Sequence, residues 1–243
     1  MAKKILVIDD SALMRRVISD IINSGGDYEV AAIARDGVEG FDLIVSNPHL
    51  YSAVILDINM PKMNGLELLE KLQKNRIEQT VIVVSTVAKE GAKETIKALE
   101  LGAFDFVTKP ENYLETKGET FKNNIHKMLD LATGSHRSKV DLRTTSFAKP
   151  GSVVRPAKPK PVVMPRKLEP GNFTGVKTGR KKIVALACST GGPKSLQQVI
   201  PYLPKNLDAP VVLVQHMPAG FTFSLSQRLN EISEVEVKEA QEG

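Results

Sequence analysis

Apolar residues fall along the first half of the chain in short runs separated by helical patterns. The runs Ile5–Ile8, Val30–Ala34, Ala53–Leu56, Thr80–Val84 and Phe104–Val107 read as buried strands, because each is short, rich in branched residues and almost free of charge. Between them the apolar positions recur at i, i+3 and i+4. Leu13, Val17, Ile18, Ile21 and Ile22 form one such face, and Leu66, Leu68, Leu69 and Leu72 form another, the mark of helices packed on one side. Five strand–helix units in succession predict an α/β fold, a doubly wound five-stranded parallel sheet.

The rhythm stops near residue 134 and resumes near 182. Residues 134–181 hold six of the fourteen prolines, few large apolar residues and no periodicity, so a flexible, extended linker is expected there. From 182 a second parallel α/β pattern begins: a strand at 182–187, a helix at about 193–203, a strand at 210–215, a helix at about 219–230 and a strand at about 233–238. The predicted organisation is therefore 1–133, a linker over 134–181, and a second, shorter domain over 182–243.

Charge adds a qualification. The chain of 243 residues carries a formal net charge of +5. Thirteen Lys and Arg against two acids lie between Ser135 and Lys182, so the basic character belongs to the linker and the rest of the chain is acidic. The linker lacks the interleaved aromatic residues of single-strand binders, and nucleic acid is not an expected partner. No run approaches the ~18 apolar residues of a membrane helix. The N-terminus enters a strand with no secretory apolar region, which predicts a cytoplasmic protein. One cysteine, Cys188, and the scattered His49, His126, His136 and His216 give no disulfide and no zinc-type spacing.

Chemistry gathers at the C-terminal ends of the strands, where ligands bind in open parallel sheets. Asp9 and Asp10 follow the first strand, Asp57 the third, Ser85 the fourth and Lys109 the fifth. Singly, each acid reads as a helix cap. Together, three carboxylates repel one another unless a cation joins them. An all-oxygen site of this kind suits Mg²⁺, and a nearby lysine suits an incoming phosphoryl group. The stretches VIDDS, LDINMP, VVST and FVTKP resemble the two-component receiver domain, whose fold is flavodoxin-like. The resemblance implies Asp57 as phospho-acceptor. It implies Asp9, Asp10, Asp57 and the Asn59 carbonyl around Mg²⁺. Ser85, Lys109 and Phe106 would sense the phosphoryl group, and a chemotaxis histidine kinase would donate it.

The second domain offers a different chemistry. In KKIVALACSTGGPKSL an apolar strand stops at a small turn, and Pro193 suits the first turn of a helix. A serine there, Ser189, lies beside free amides at a helix N-terminus, where a nucleophile and an oxyanion site are built together. The next strand ends in His216, a base on the same sheet edge. A capping serine and a packed histidine are the plainer alternatives, and Cys188 is a rival nucleophile whose side chain is expected on the opposite side of the strand. The segments ACSTGGP, VLVQHMPAGFT and VKEAQEG resemble the start of the catalytic domain of the CheB family, protein-glutamate methylesterase/glutaminases. The order receiver, linker, catalytic domain matches as well.

This resemblance implies Ser189 as nucleophile and His216 as general base, with Thr190, Gly191 and Gly192 positioning or stabilising the oxyanion. It implies chemoreceptor glutamate methyl esters, and certain receptor glutamines, as substrates, with no cofactor for the esterase. It also implies a receiver that covers the active-site face until Asp57 is phosphorylated. Ala187 stands where the family usually has Gly. The family's third catalytic member, an aspartate, lies further downstream than Gly243, so a truncated second domain is expected, with sheet faces and an edge uncovered. Asp208 precedes the strand that ends at His216, roughly 20 Å away at ~3.3 Å per residue, and Glu239 follows the last expected strand. The alternative to an esterase is a phospho-receiver that docks receptors without turnover. A DNA-binding response regulator is disfavoured, since no basic recognition helix follows.

Overall fold

The structure, a computed structural model, describes residues 1–86, 88–110, 118–134 and 182–242. The linker expected over 134–181 lies outside the described residues apart from Gly134. The N-terminal module holds β1 (Lys3–Ile8), β2 (Tyr28–Ala34), β3 (Ala53–Asp57), β4 (Val81–Ser85) and β5 (Asp105–Thr108). Helices α1 (Ala12–Asn23), α2 (Gly37–Ser46), α3 (Gly65–Lys74), α4 (Lys89–Glu100) and α5 (Glu119–Ala132) connect and cover them. All pairings are parallel, in the order β2-β1-β3-β4-β5. The five strands predicted for this module are all present, with ends displaced by one or two residues.

Because side chains alternate across a strand, this sheet builds two cores. Ile5, Val7, Ile55, Ile82 and Val84 meet α1 and α5 through Ile18, Ile22, Phe121 and Ile125. Leu6, Ile8, Leu56 and Val83 meet α2, α3 and α4 through Ile44, Leu68, Ile96 and Leu99. Every residue of β3 and β4 is buried, as a centrally placed parallel strand requires. One expected core residue departs: Leu13 is 49% exposed, because it lies in the first turn of α1, on the side away from the sheet. Local capping sets the helix starts. Ser11 accepts from the Met14 amide at α1, and Asn64 with Glu67 forms a reciprocal capping box at α3. A Cβ on Gly65 would come 2.4 Å from the Asp57 carbonyl oxygen, so only glycine lets α3 begin this close to the phospho-acceptor candidate.

The C-terminal module contains β6 (Val184–Cys188), α6 (Gly192–Val199), a short 3₁₀ turn (Ile200–Tyr202), β7 (Val211–Gln215) and α7 (Phe221–Ile232). The strand expected at 233–238 does not form. Residues 234 and 235 are bends, and Val235 and Val237 pack on the core, but the Val237 amide donates to the Asn230 side chain at 2.8 Å instead of to a neighbouring strand. Its alternating pattern reports burial on one side rather than ladder pairing. The two strands pair in parallel, Val184 with Val211 through Cys188 with Gln215.

The apolar run through β6 is not buried on both sides. Leu186, Cys188 and Leu213 face the core, whereas Val212 is 50% and Val214 63% exposed on the other face. The described helices cover only one side of this small sheet. On that covered side, Leu196, Ile200, Phe221, Leu225 and Leu229 join the same buried cluster as Ile96 and Leu99 of α4. The N-terminal module and residues 183–242 thus share one core. Among the described residues, no helix is long and apolar enough to cross a membrane.

Candidate functional site

The first site lies at the C-terminal edge of the N-terminal sheet. Asp9 and Asp57 are buried and Asp10 is exposed, and one carboxylate oxygen from each lies within 4.8 Å of the others. Lys109 reaches in from the end of β5, with Nζ 2.7 Å from Asp57 and 3.0 Å from Asp9. The Ile58 amide donates to Asp57 Oδ1 at 2.8 Å. Burial pushes the Asp57 carboxyl up and Asp9 adds to this, while Lys109 pulls it down without cancelling the rise. Burial pulls the Lys109 ammonium down, but Asp57 and Asp9 outweigh it and raise it.

The donor set suits a divalent cation. Asp9 Oδ2 is buried and meets Lys109 Nζ at 3.0 Å, and three clustered carboxylates against one lysine leave excess negative charge. Asn59 lies beside them, its side-chain amide donating to Glu94 of α4 at 3.0 Å. Ser85 is buried, and its hydroxyl donates to the Gly91 carbonyl at 3.2 Å, so in this state it is engaged with α4. Phe106 points away from the carboxylates into the C-terminal module. It stacks on Phe221 with ring centroids 4.8 Å apart and planes 10° from parallel.

The second site forms at the ends of β6 and β7. The register pairs Cys188 with Gln215, and the His216 amide donates to the Cys188 carbonyl at 3.1 Å. Ser189 and His216 therefore emerge side by side. Both are exposed, and no hydrogen bond joins their side chains. Gly191 closes the turn with φ 72°, a conformation that favours glycine. The Gly192 amide donates back to the Ser189 carbonyl at 2.8 Å. Cys188 packs partly buried against the core, as expected for a side chain turned away from the serine. Ala187 lies on the exposed face of the sheet, so its methyl group does not crowd the turn.

Three features escaped the sequence reading. Gln215 Nε2 donates to the carbonyls of Ser189 at 3.0 Å and His216 at 3.1 Å, bracing the two strand ends against each other. Asp105 Oδ2 accepts from the Gly191 amide at 2.7 Å. Arg228 of α7 pairs with Glu100 of α4 at 2.7 Å. No motif marks these residues, because each gains its partner only when distant segments meet. Glu239 accepts from the Thr222 hydroxyl, and no carboxylate among the described residues is bonded to His216.

Between the modules lies a cleft of about 330 Å³, lined by Asp105, Phe106 and Lys127 on one side and by Ser189, Thr190 and His216 on the other. The serine turn thus opens toward β5 and α5 of the N-terminal module.

Known proteins give this arrangement its family. The response regulator receiver domain pattern matches residues 5–117, and the CheB methylesterase pattern matches 184–243. The protein-glutamate methylesterase/protein-glutamine glutaminase of Pyrococcus horikoshii is 41% identical over 241 residues, 99% of this chain and 60% of its own length. The chain belongs to this family. The Thermotoga maritima enzyme of the same name is 42% identical over 241 residues, covering 99% of this chain and 62% of the relative. The crystal structure of the response regulator domain of Thermotoga maritima CheB is 36% identical, with a TM-score of 0.46, covering 55% of this chain and 96% of that one. The chain spans about three fifths of the length of the curated relatives it matches. The N-terminal module is accordingly a receiver domain, and residues from 184 on match CheB methylesterase.

Proposed function

We propose that this chain carries the regulatory part and the nucleophile turn of a phosphorylation-gated chemoreceptor methylesterase and glutaminase. The observation that carries the reading is the cleft itself: Ser189 and His216, though exposed, line it together with Asp105 and Phe106 of the receiver's β5 and Lys127 of its α5. In this reading residues 1–133 are the receiver, 134–181 the linker and 182–243 the first part of the catalytic domain, in a cytoplasmic protein.

The chemistry follows from the two sites. A chemotaxis histidine kinase donates the phosphoryl group to Asp57. Asp9, Asp10, Asp57 and the Asn59 carbonyl would hold Mg²⁺, which when bound supplies positive charge against the phosphoryl oxygens. Lys109, already 2.7 Å from Asp57, adds a second cation. Ser85 leaves the Gly91 carbonyl to bond the phosphoryl group. Phe106 lies on the same strand as the Asp105–Gly191 contact and stacks on Phe221, so a rearrangement at β5 is felt directly by the catalytic module.

At the second site His216 takes the Ser189 proton as the hydroxyl attacks a receptor γ-glutamyl methyl ester. The carbonyl oxygen becomes an oxyanion that the turn amides of Thr190–Gly192 receive. His216 returns the proton to the leaving methanol, and water then releases the glutamate. A glutamine side chain follows the same course with ammonia leaving. Methanol release from methylated receptors, with and without a small acyl-phosphate donor, tests the reading. Phosphorylation raises release by wild type, and Ser189→Ala abolishes it. Equal release with and without the donor sinks the gating.

A second reading has its own support. No described carboxylate orients His216, and loss of an orienting acid costs about 10⁴ in rate in serine hydrolases. This chain would then act as a phospho-receiver that docks receptors without turnover. Phosphorylation at Asp57 with no methanol released would favour it.

A further inference from the structure

The Gly191 amide is among the donors a tetrahedral oxyanion at Ser189 would use, and in this structure it is taken. Asp105, only 5% exposed, places Oδ2 2.7 Å from the Gly191 nitrogen and Oδ1 2.9 Å from its own neighbour's amide, that of Phe106. Gly191 is the N-cap of α6 and has no side chain to cap the helix. The electropositive first turn of α6 is thereby neutralised by a carboxylate from another module. An ionised carboxylate so far from water is costly unless hydrogen bonds offset it, and here those bonds come from the strand it sits on and from the nucleophile turn.

We propose that Asp105 is a built-in occupant of the oxyanion position, so that receiver docking blocks the serine site by electrostatic competition as well as by cover. The proposal deepens the esterase reading and rests on it for the role of Ser189. Two anions cannot share one amide. The carboxylate must leave before an oxyanion can form, and an oxyanion held at Ser189 must in turn favour the undocked receiver, since coupling between two sites is reciprocal. Asp105 adjoins Phe106, which stacks on Phe221. Displacing β5 at this point releases the stack and the carboxylate together.

The test uses the full chain, with two readouts. Amide exchange followed by NMR reports Gly191 directly. In Asp105→Ala it exchanges about tenfold faster or more, as expected on losing a charge-assisted hydrogen bond, while Val83 in β4 keeps its protection. Asp105→Asn, which keeps an acceptor of the same shape without the charge, gives a smaller increase. Labelling of Ser189 by a fluorophosphonate, with Ser189→Ala as blank, is several-fold faster in Asp105→Ala than in wild type. Unchanged Gly191 exchange in Asp105→Ala overturns the proposal. So does faster exchange with labelling that occurs at the wild-type rate. If no variant labels at all, the serine reading fails instead, and the exchange result still decides whether Asp105 holds the amide.

Discussion

The two sheets of this protein solve the same burial problem differently. The receiver sheet is covered on both faces, and its central strands are sealed: Val54, Leu56, Ile82, Val83 and Val84 are all fully buried. The β6–β7 sheet is equally apolar in sequence but covered on one face, with Val212 and Val214 half or more exposed. The β6–β7 sheet shares a core with α4 of the receiver, and the Gly191 amide of its Ser189 turn donates to Asp105 of the receiver. The difference teaches that a sheet covered on one face depends for its core on packing against a neighbouring module.

The sharpest way to break this comparison is Phe221→Ala. Phe221 is fully buried and stacked on Phe106, so its loss should cost about 3–5 kcal/mol. The cost is expected to fall on residues 183–242 alone: amides of α7 lose exchange protection while those of β3 keep it. Leu56→Ala should cost a comparable or slightly smaller ~2–5 kcal/mol, but it should lower the urea midpoint of both modules, since the second rests on the first. Equal loss in both modules for both variants would mean the cores are not hierarchical.

Acidity separates two of the polar contacts across the docking face, those of Asp105 and Glu100. Burial pushes the Asp105 carboxyl up, against the two amides that lower it. Its contribution to stability is thus full below the ordinary carboxylate value and is lost as pH rises through the raised value. For Glu100 burial acts upward, but Arg228 and Lys97 outweigh it and hold the carboxyl low. Its contribution is present above the ordinary value and is lost as pH falls through the lowered one. Glu100→Gln should flatten the acid side of a stability–pH curve and Asp105→Asn the side just above the ordinary value. Because the Glu100 pair is partly exposed, its share is only about 0–1 kcal/mol, read by thermal melts across pH. The smallest expected effect is Val214→Thr, within about 0.5 kcal/mol. A drop of more than that in the melting temperature analysis would show that the exposed face of β7 is covered in solution.

The acidic edge was legible because its parts are tied to strand ends. Asp9, Asp57 and Lys109 each follow an apolar run, and a parallel sheet brings such ends together whatever the intervening helices contain. Ser189 and His216 were legible for the same reason. Asp105 and Glu100 were not: a carboxylate at a strand start or a helix end looks like any surface acid until a partner from a distant segment arrives. The stretch at 233–238 misled because alternation reports a buried side, and packing of one side on a core produces it as well as pairing does.

Alone, the sequence determined the alternation of strands and helices, the two strand-end clusters of polar residues and the family to which the chain belongs, because those follow from local periodicity and from residues at fixed offsets. The tertiary structure decided which way each site faces and what occupies it. Whether the Gly191 amide meets water, an oxyanion or Asp105 depends on the packing of Phe106 against Phe221 and of α4 against α7, contacts between segments about a hundred residues apart that no local pattern encodes.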